Sequence, residues 1–134
     1  MNTYYKECFL EDIYHFEALE VWKDLENKPE VQFFYDKDDV DYRKNIKVKL
    51  YKGRNADKVI GVLSEEDSKS MLPFFKGGWE IVFIGRVCFV GEKEEDQEKQ
   101  RIKVVIYIND LKKVANASKG KVEIIVTMYS FSIE

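Results

Sequence analysis

Histidine and cysteine are scarce in this chain, with one histidine and two cysteines in 134 residues. The scarcity excludes several chemistries. Cys8, Cys88 and His15 form no group at the spacings of a zinc site, so no metal is expected. The two cysteines lie far apart in apolar, strand-like contexts and read as reduced core thiols, although a pair of cysteines always admits one disulfide. Gly77-Gly78 has neither the Lys-Ser/Thr of a phosphate-binding loop nor the spacing of a dinucleotide fingerprint, so no cofactor is expected. His15 has no nucleophile or orienting acid that the sequence pairs with it. No carboxylate pair stands out among the 25 acidic residues, and the chain carries no enzyme signature. No stretch approaches the roughly 18 apolar residues of a membrane helix. Met1 to Glu7 has no basic segment leading into an apolar one, so a cytoplasmic protein is expected. Basic residues are not in excess either: 22 Lys and Arg stand against 25 Asp and Glu, a net charge of −3. That balance argues against a sequence-blind duplex binder, which needs a basic face to release counterions.

Apolar material is plentiful. Hydrophobic residues make up 45% of the chain, enough for the core of one domain spanning residues 1–134. Charge is unevenly distributed. Lys44, Lys47, Lys49, Lys52 and Lys58 gather with Arg43 and Arg54, while Glu92, Glu94, Glu95, Asp96 and Glu98 make an acidic run. Such runs are usually solvated faces.

Periodicity predicts mostly strands. Residues 4–10 and Val31 to Tyr35 are rich in aromatic and β-branched residues. Between them, Phe16, Leu19, Val21, Trp22 and Leu25 recur at helical spacing, and Pro29 stops the helix. From Asn45 to Tyr51, Ile46, Val48 and Leu50 alternate with Lys47, Lys49 and Tyr51, a half-buried strand with its lysines outward. Lys58 to Leu63 returns as the second arm of a hairpin. Ser64-Glu65-Glu66-Asp67 is a capping-box-like start for a helix ended by Gly77-Gly78. One long strand is expected from Trp79 to Val90, with Gly85 marking a bulge or a barrel corner. A charged loop over 91–100 leads to a strand over 101–108. A helical turn over 110–117 and a last strand over 121–133 complete the chain. There are no repeats and no low-complexity linker. The expected fold is mainly β: an antiparallel, partly closed barrel of OB or SH3 type with two short peripheral helices.

The centre of the chain resembles a HIRAN domain. Tyr42-Arg43-Lys44-Asn45-Ile46 is similar to the family's Tyr-Asp-x-Asn-Ala-Ile, with one residue missing. Ile60-Gly61-Val62-Leu63 is similar to its Ile-Gly-Tyr-Leu, and the helix with Met71-Leu72-Pro73-Phe74-Phe75 follows in the same order. Ile13-Tyr14-His15-Phe16 and Val87-Cys88-Phe89-Val90-Gly91 occupy positions where the family has aromatic residues. The resemblance covers about residues 5–108 and leaves 109–134 as a C-terminal extension.

The resemblance implies a module without catalysis of its own that binds single-stranded DNA or the 3′ end of DNA, alongside protein partners of DNA processing. It implies Tyr42 and Phe89 as stacking platforms, Tyr14 and His15 as a second aromatic edge, and Asn45 as a loop-ordering or ligand-bonding residue. Arg43 stands where the family has Asp, and Ser64, Glu65 and Glu66 stand where it has basic residues. Arg43, Lys47, Lys49 and Arg54 are then the candidates for a displaced basic surface. A second class of function fits the same residues: a protein-interaction or assembly module whose aromatic groove holds a peptide or a partner strand.

Overall fold

The structure, a computed structural model, describes residues 2–92, 101–110 and 112. Six strands form one antiparallel sheet: β1 (Thr3–Phe9), β2 (Glu30–Phe34), β3 (Lys47–Leu50), β4 (Val59–Val62), β5 (Phe83–Val90) and β6 (Ile102–Ile108). Their spatial order is β1-β6-β5-β2-β3-β4, and the sheet curls into a half-barrel. Its two outer strands are brought together just past the end of β1. There Glu11 donates its amide to Val62 O at 2.8 Å, and Val62 donates back to Glu11 O at 3.1 Å. The mainly β, antiparallel architecture is therefore the one the alternation of apolar residues predicts.

The concave face holds the core. Trp22, Leu25, Phe33, Ile46, Ile60, Leu63, Met71, Ile102 and Ile106 are fully buried there. Three short helices close the open side: α1 (Trp22–Glu26), α2 (Glu65–Ser68) and α3 (Leu72–Lys76). The expected count was two, because residues 64–77 read as one helix. Ser64 caps α2 as its sequence suggests, its Oγ accepting the Asp67 amide at 3.0 Å. Ser68, fully buried, joins α2 to the sheet by accepting the Ile46 amide and donating to Leu63 O.

Three local expectations are corrected. The helix expected over 16–26 divides into a 3-10 turn at Ala18–Val21 and α1. The strand expected to start at Trp79 starts at Phe83 instead. Trp79 is buried and donates its amide to Phe74 O, and Glu80–Val82 forms a 3-10 turn. Gly85 is not a bulge: the register of β5 with β6 shifts between Val87 and Phe89. What glycine provides at 85 is space. A Cβ there would lie 2.6 Å from the Phe33 ring, so the ring crosses β5 where no side chain stands.

No helix among the described residues is long and apolar enough to cross a membrane. The final strand expected over 121–133 lies outside the described residues, as do nearly all of the charged loop and of the helical turn over 110–117.

Candidate functional site

The loop after β2 is rich in aspartate, and its own side chains fold it. Asp36 Oδ1 accepts the Asp38 amide, and Asp39 Oδ1 accepts the Asp41 amide at the start of a 3-10 turn at Val40–Tyr42. This geometry turns Asp39 onto β3, where its Oδ2 lies 2.5 Å from the Nζ of Lys47. Asp36 is farther, at 3.9 Å. The Lys47 side chain is only 10% exposed, so the expectation of an outward, solvated lysine is corrected. Its ammonium also lies 5.7 Å from the ring centre of Phe16 and 5.5 Å from that of Tyr42. An ammonium set over two rings, with its charge met chiefly by Asp39, explains how a lysine on the outer face of β3 is buried by the loop. The ammonium beside Asp39 holds that carboxyl below its ordinary range.

Tyr42 joins this loop to the turn after β1. Its ring packs 5.4 Å from Phe16, and its hydroxyl donates to Asp12 Oδ2 at 3.1 Å. Burial, then the hydrogen bond to Asp12 and the charges of Asp12, Asp39 and Asp41, push the Tyr42 phenol up to about 12. Asp12 adopts a left-handed backbone (φ 55°) immediately before the 3-10 turn Ile13–His15. That turn presents Tyr14, 42% exposed, and His15, also exposed.

Through Asp12 and Phe16 the structure joins the turn that carries exposed Tyr14 and His15 to the loop that carries Tyr42 and exposed Arg43, beside Lys47. Two further candidates make their contacts elsewhere. Asn45 donates its side-chain amide to Leu63 O at 2.9 Å and ties the loop to the end of β4. That hydrogen bond fits the loop-ordering role. Phe89, 47% exposed, belongs to a different ring pair, edge to face with Phe9 at 6.2 Å.

The basic run is largely neutralised. Lys44 pairs with Glu65, Lys47 with Asp39, Lys49 with Asp57, Lys52 with Glu30, and Lys58 with Glu17 and Glu20. Among the described residues Arg43 and Arg54 make no ion pair. Several of the lysine pairs are exposed and individually weak. Each lysine nevertheless arrives with its own acid, which lowers the positive potential a phosphate would meet.

Two features went unrecognised in the sequence. The first is a row across three strands: Phe9 on β1 and Phe89 on β5 both face Lys103 on β6. The Arg101 guanidinium stacks 3.7 Å from the centre of the Phe9 ring, and Lys103 pairs with Glu7 at 3.2 Å. The alternation of Lys103 with Ile102 and Val104 places it outward, but nothing local pairs it with Phe9. The second is a groove of about 700 Å³ between β2 and β5, lined by Gln32, Tyr51, Ile81, Ile84, Arg86 and Asn109 among others. Reading Trp79 to Val90 as one unbroken strand hides it.

Among the described residues no three His, Cys, Asp or Glu side chains lie close enough to hold a metal ion. Both cysteines are free. Cys8 on β1 and Val87, next to Cys88 on β5, both pair with Val104 on β6. Two interstrand spacings of about 4.8 Å separate β1 from β5, beyond the roughly 7 Å Cα limit of a disulfide. Burial pushes the Cys8 thiol up to about 12 and also raises Cys88, so both are protonated and poor nucleophiles at neutral pH.

No protein-family model, curated protein or solved structure matches the chain.

Proposed function

We propose that this chain is a HIRAN-like binding module, without catalysis of its own, that takes single-stranded or end-containing DNA on the rim formed by Tyr14, His15 and Tyr42. The observation that carries this reading is the joining of two separate segments, the turn with Tyr14 and His15 and the loop with Tyr42, through the Tyr42–Asp12 hydrogen bond and the Tyr42–Phe16 contact. Exposed rings stack unpaired bases regardless of sequence. Because the nearby lysines are already paired, stacking carries the affinity and phosphate contacts are few. With two cations of the basic run outside ion pairs among the described residues, Arg43 and Arg54, the log–log salt slope is about −1.4, at roughly −0.7 per phosphate on a single strand.

The test is fluorescence anisotropy with labelled single strands ending in a 3′-hydroxyl or a 3′-phosphate, titrated at several salt concentrations. Micromolar binding with a shallow slope and a preference for the free hydroxyl supports the reading. Absence of binding to either strand at low salt overturns it.

A second reading is favoured by the charge. Asp12, Asp39 and Asp41 surround Tyr42, and all five lysines between 44 and 58 are paired. This pattern repels phosphate and suits a protein partner, so the alternative function is a protein-interaction module on the same scaffold. Salt-insensitive capture of a peptide, without DNA binding, supports it.

A further inference from the structure

The β2–β5 ladder stops after two residue pairs, Glu30 with Arg86 and Val31 with Gly85. In that register Phe33 would pair next with Phe83, whose amide is already donated to Glu80 O, where it closes the 3-10 turn. Pairing ends there, and the groove of about 700 Å³ opens between the strands. Phe33 at its floor is 2% exposed, so the surface a partner meets is made of side chains. Ile84, Tyr107, Tyr51 and Ile81 make that surface apolar, the last two 52% and 39% exposed. It continues across the sheet: Ile84 pairs with Tyr107, and Tyr107 with Tyr4, whose exposed ring stands edge to face with it at 6.3 Å. The charges on and beside the groove balance, Arg86 and Lys52 against Glu30 and Glu80.

The chain leaves the sheet at this groove. Asn109 donates its main-chain amide to Val82 O at 2.8 Å and its side-chain amide to Ile81 O at 3.0 Å. Asp110 donates its amide to Asn2 Oδ1 at 3.1 Å. Asn2, Ile81 and Asn109 all line the groove. The sequence runs on beyond the described residues, and its composition changes there. Residues 111–120 include Asn116, Ser118 and Gly120, whereas Ile124 to Ile133 contains no charged residue. Val122, Ile124, Val126 and Met128 alternate onto one face. An uncharged run rich in Ile, Val, Met, Tyr and Phe gains by leaving water. The ten residues 111–120 reach up to about 33 Å when extended, about three times the ~10 Å of strand between Phe83 and Arg86 along which the groove runs.

We propose that the groove between β2 and β5 is covered by this chain's own segment 122–128. Val122, Ile124, Val126 and Met128 pack side chain on side chain against Tyr51, Ile81, Ile84 and Tyr107, and the main chain of Phe33 takes no part. Attachment favours this occupant over a free one. The connection starts on the groove's rim at Asn109 and Asp110, so the segment is held there at high effective concentration. Its lack of charge suits a groove whose own charges balance. The covering uses none of the residues of the Tyr14–Tyr42 rim, so it stands or falls apart from either functional reading.

The test uses the full chain, labelled with nitrogen-15, with a nitroxide on Gln32→Cys, an exposed groove position, or on Glu66→Cys, an exposed position of α2. The native Cys8 and Cys88, whose thiols burial pushes up, stay unmodified under brief labelling at neutral pH. The expected result is a loss of amide signal across 122–128 with the nitroxide at 32, recovered when the nitroxide is reduced, and little loss there with the nitroxide at 66. Val126→Asp should abolish that loss while the amides of β1 to β6 keep the dispersion of the folded sheet. Thr127→Asp, on the opposite face of the segment, should leave it in place. No loss across 122–128 from position 32, or an equal loss from position 66, overturns the covering. Equal effects of Val126→Asp and Thr127→Asp overturn it as well. The same loss in nitrogen-15 chains mixed with separate chains that carry the nitroxide at 32 assigns the groove to a second copy and overturns covering within one chain.

Discussion

Lys47 Nζ and Asp39 Oδ2 meet at 2.5 Å on a lysine side chain that is 10% exposed. Removing either partner has a different consequence. Asp39→Ala leaves an ammonium inside the fold with Asp36 at 3.9 Å as its remaining carboxylate. Lys47→Met removes the buried charge and leaves Asp39, whose side chain is 26% exposed and stays in contact with water. The expected outcome in urea denaturation is a clearly larger fall in midpoint for Asp39→Ala than for Lys47→Met. Equal midpoints would show that the pair does not hold the loop.

The same cluster predicts the alkaline limb of stability. The Tyr42 phenol is raised from 10.0 to about 12, chiefly by burial. A raised pKa means the folded chain keeps the proton longer than the unfolded chain. The stabilisation is therefore complete below pH 10 and is lost as pH rises through about 12. Tyr42→Phe should flatten stability against pH in that window, and absorbance titration at alkaline pH should lose one late-titrating tyrosine. At the acid end the sign reverses. Asp39, held low by Lys47, contributes above its ordinary value of 3.8, and the contribution is lost as pH falls through the lower folded value. Asp39→Asn should remove that part of the acid slope.

Gly85→Ala tests the crossing of Phe33 over β5. The added carbon would lie 2.6 Å from the Phe33 ring and 2.9 Å from Val105 O. A loss of about 1–3 kcal/mol is expected for such overpacking. Phe33→Leu in the same chain should recover part of it, because the ring clash goes and the carbonyl clash stays. A fully additive double mutant, measured by thermal or urea unfolding, would show that the two residues do not compete for the same space.

Truncating one ring in each cluster separates the two aromatic surfaces. If DNA stacks on the rim, Tyr14→Ala weakens binding of a labelled single strand by about 5- to 150-fold, the effect of losing one stacked base. Phe89→Ala then changes it less than about twofold, since its ring lies against Phe9 and not with Tyr42. The reverse order would move the nucleic-acid site to the row of Phe9, Lys103 and Phe89.

The strands of the half-barrel were legible because one face of each is buried, and burial writes a period of two into Ile46, Val48 and Leu50, or Ile102, Val104 and Ile106. Ser64 as a helix cap was legible for a similarly local reason, since its partner is the amide three residues on. Much of the rim was visible as residue types, but the basic face was not what it seemed. Lys47 stands at an outward position of its strand by alternation, and a loop eight residues upstream buries it. Charge runs report sequence neighbours, whereas neutralisation is set by acids on other elements: Glu65 for Lys44, Glu30 for Lys52, Glu17 for Lys58.

By itself, then, the sequence determined the strand and cap pattern and the mainly β class, because these follow from side-chain period and contacts within a few residues. Only the tertiary structure decided which aromatic residues share a surface, which cations are already paired, and where β2 and β5 part. Those depend on contacts such as Tyr42 with Asp12 or Phe33 over Gly85, made between segments about 30 and 50 residues apart, and such pairings are fixed by the closing of the sheet and carry no local signal.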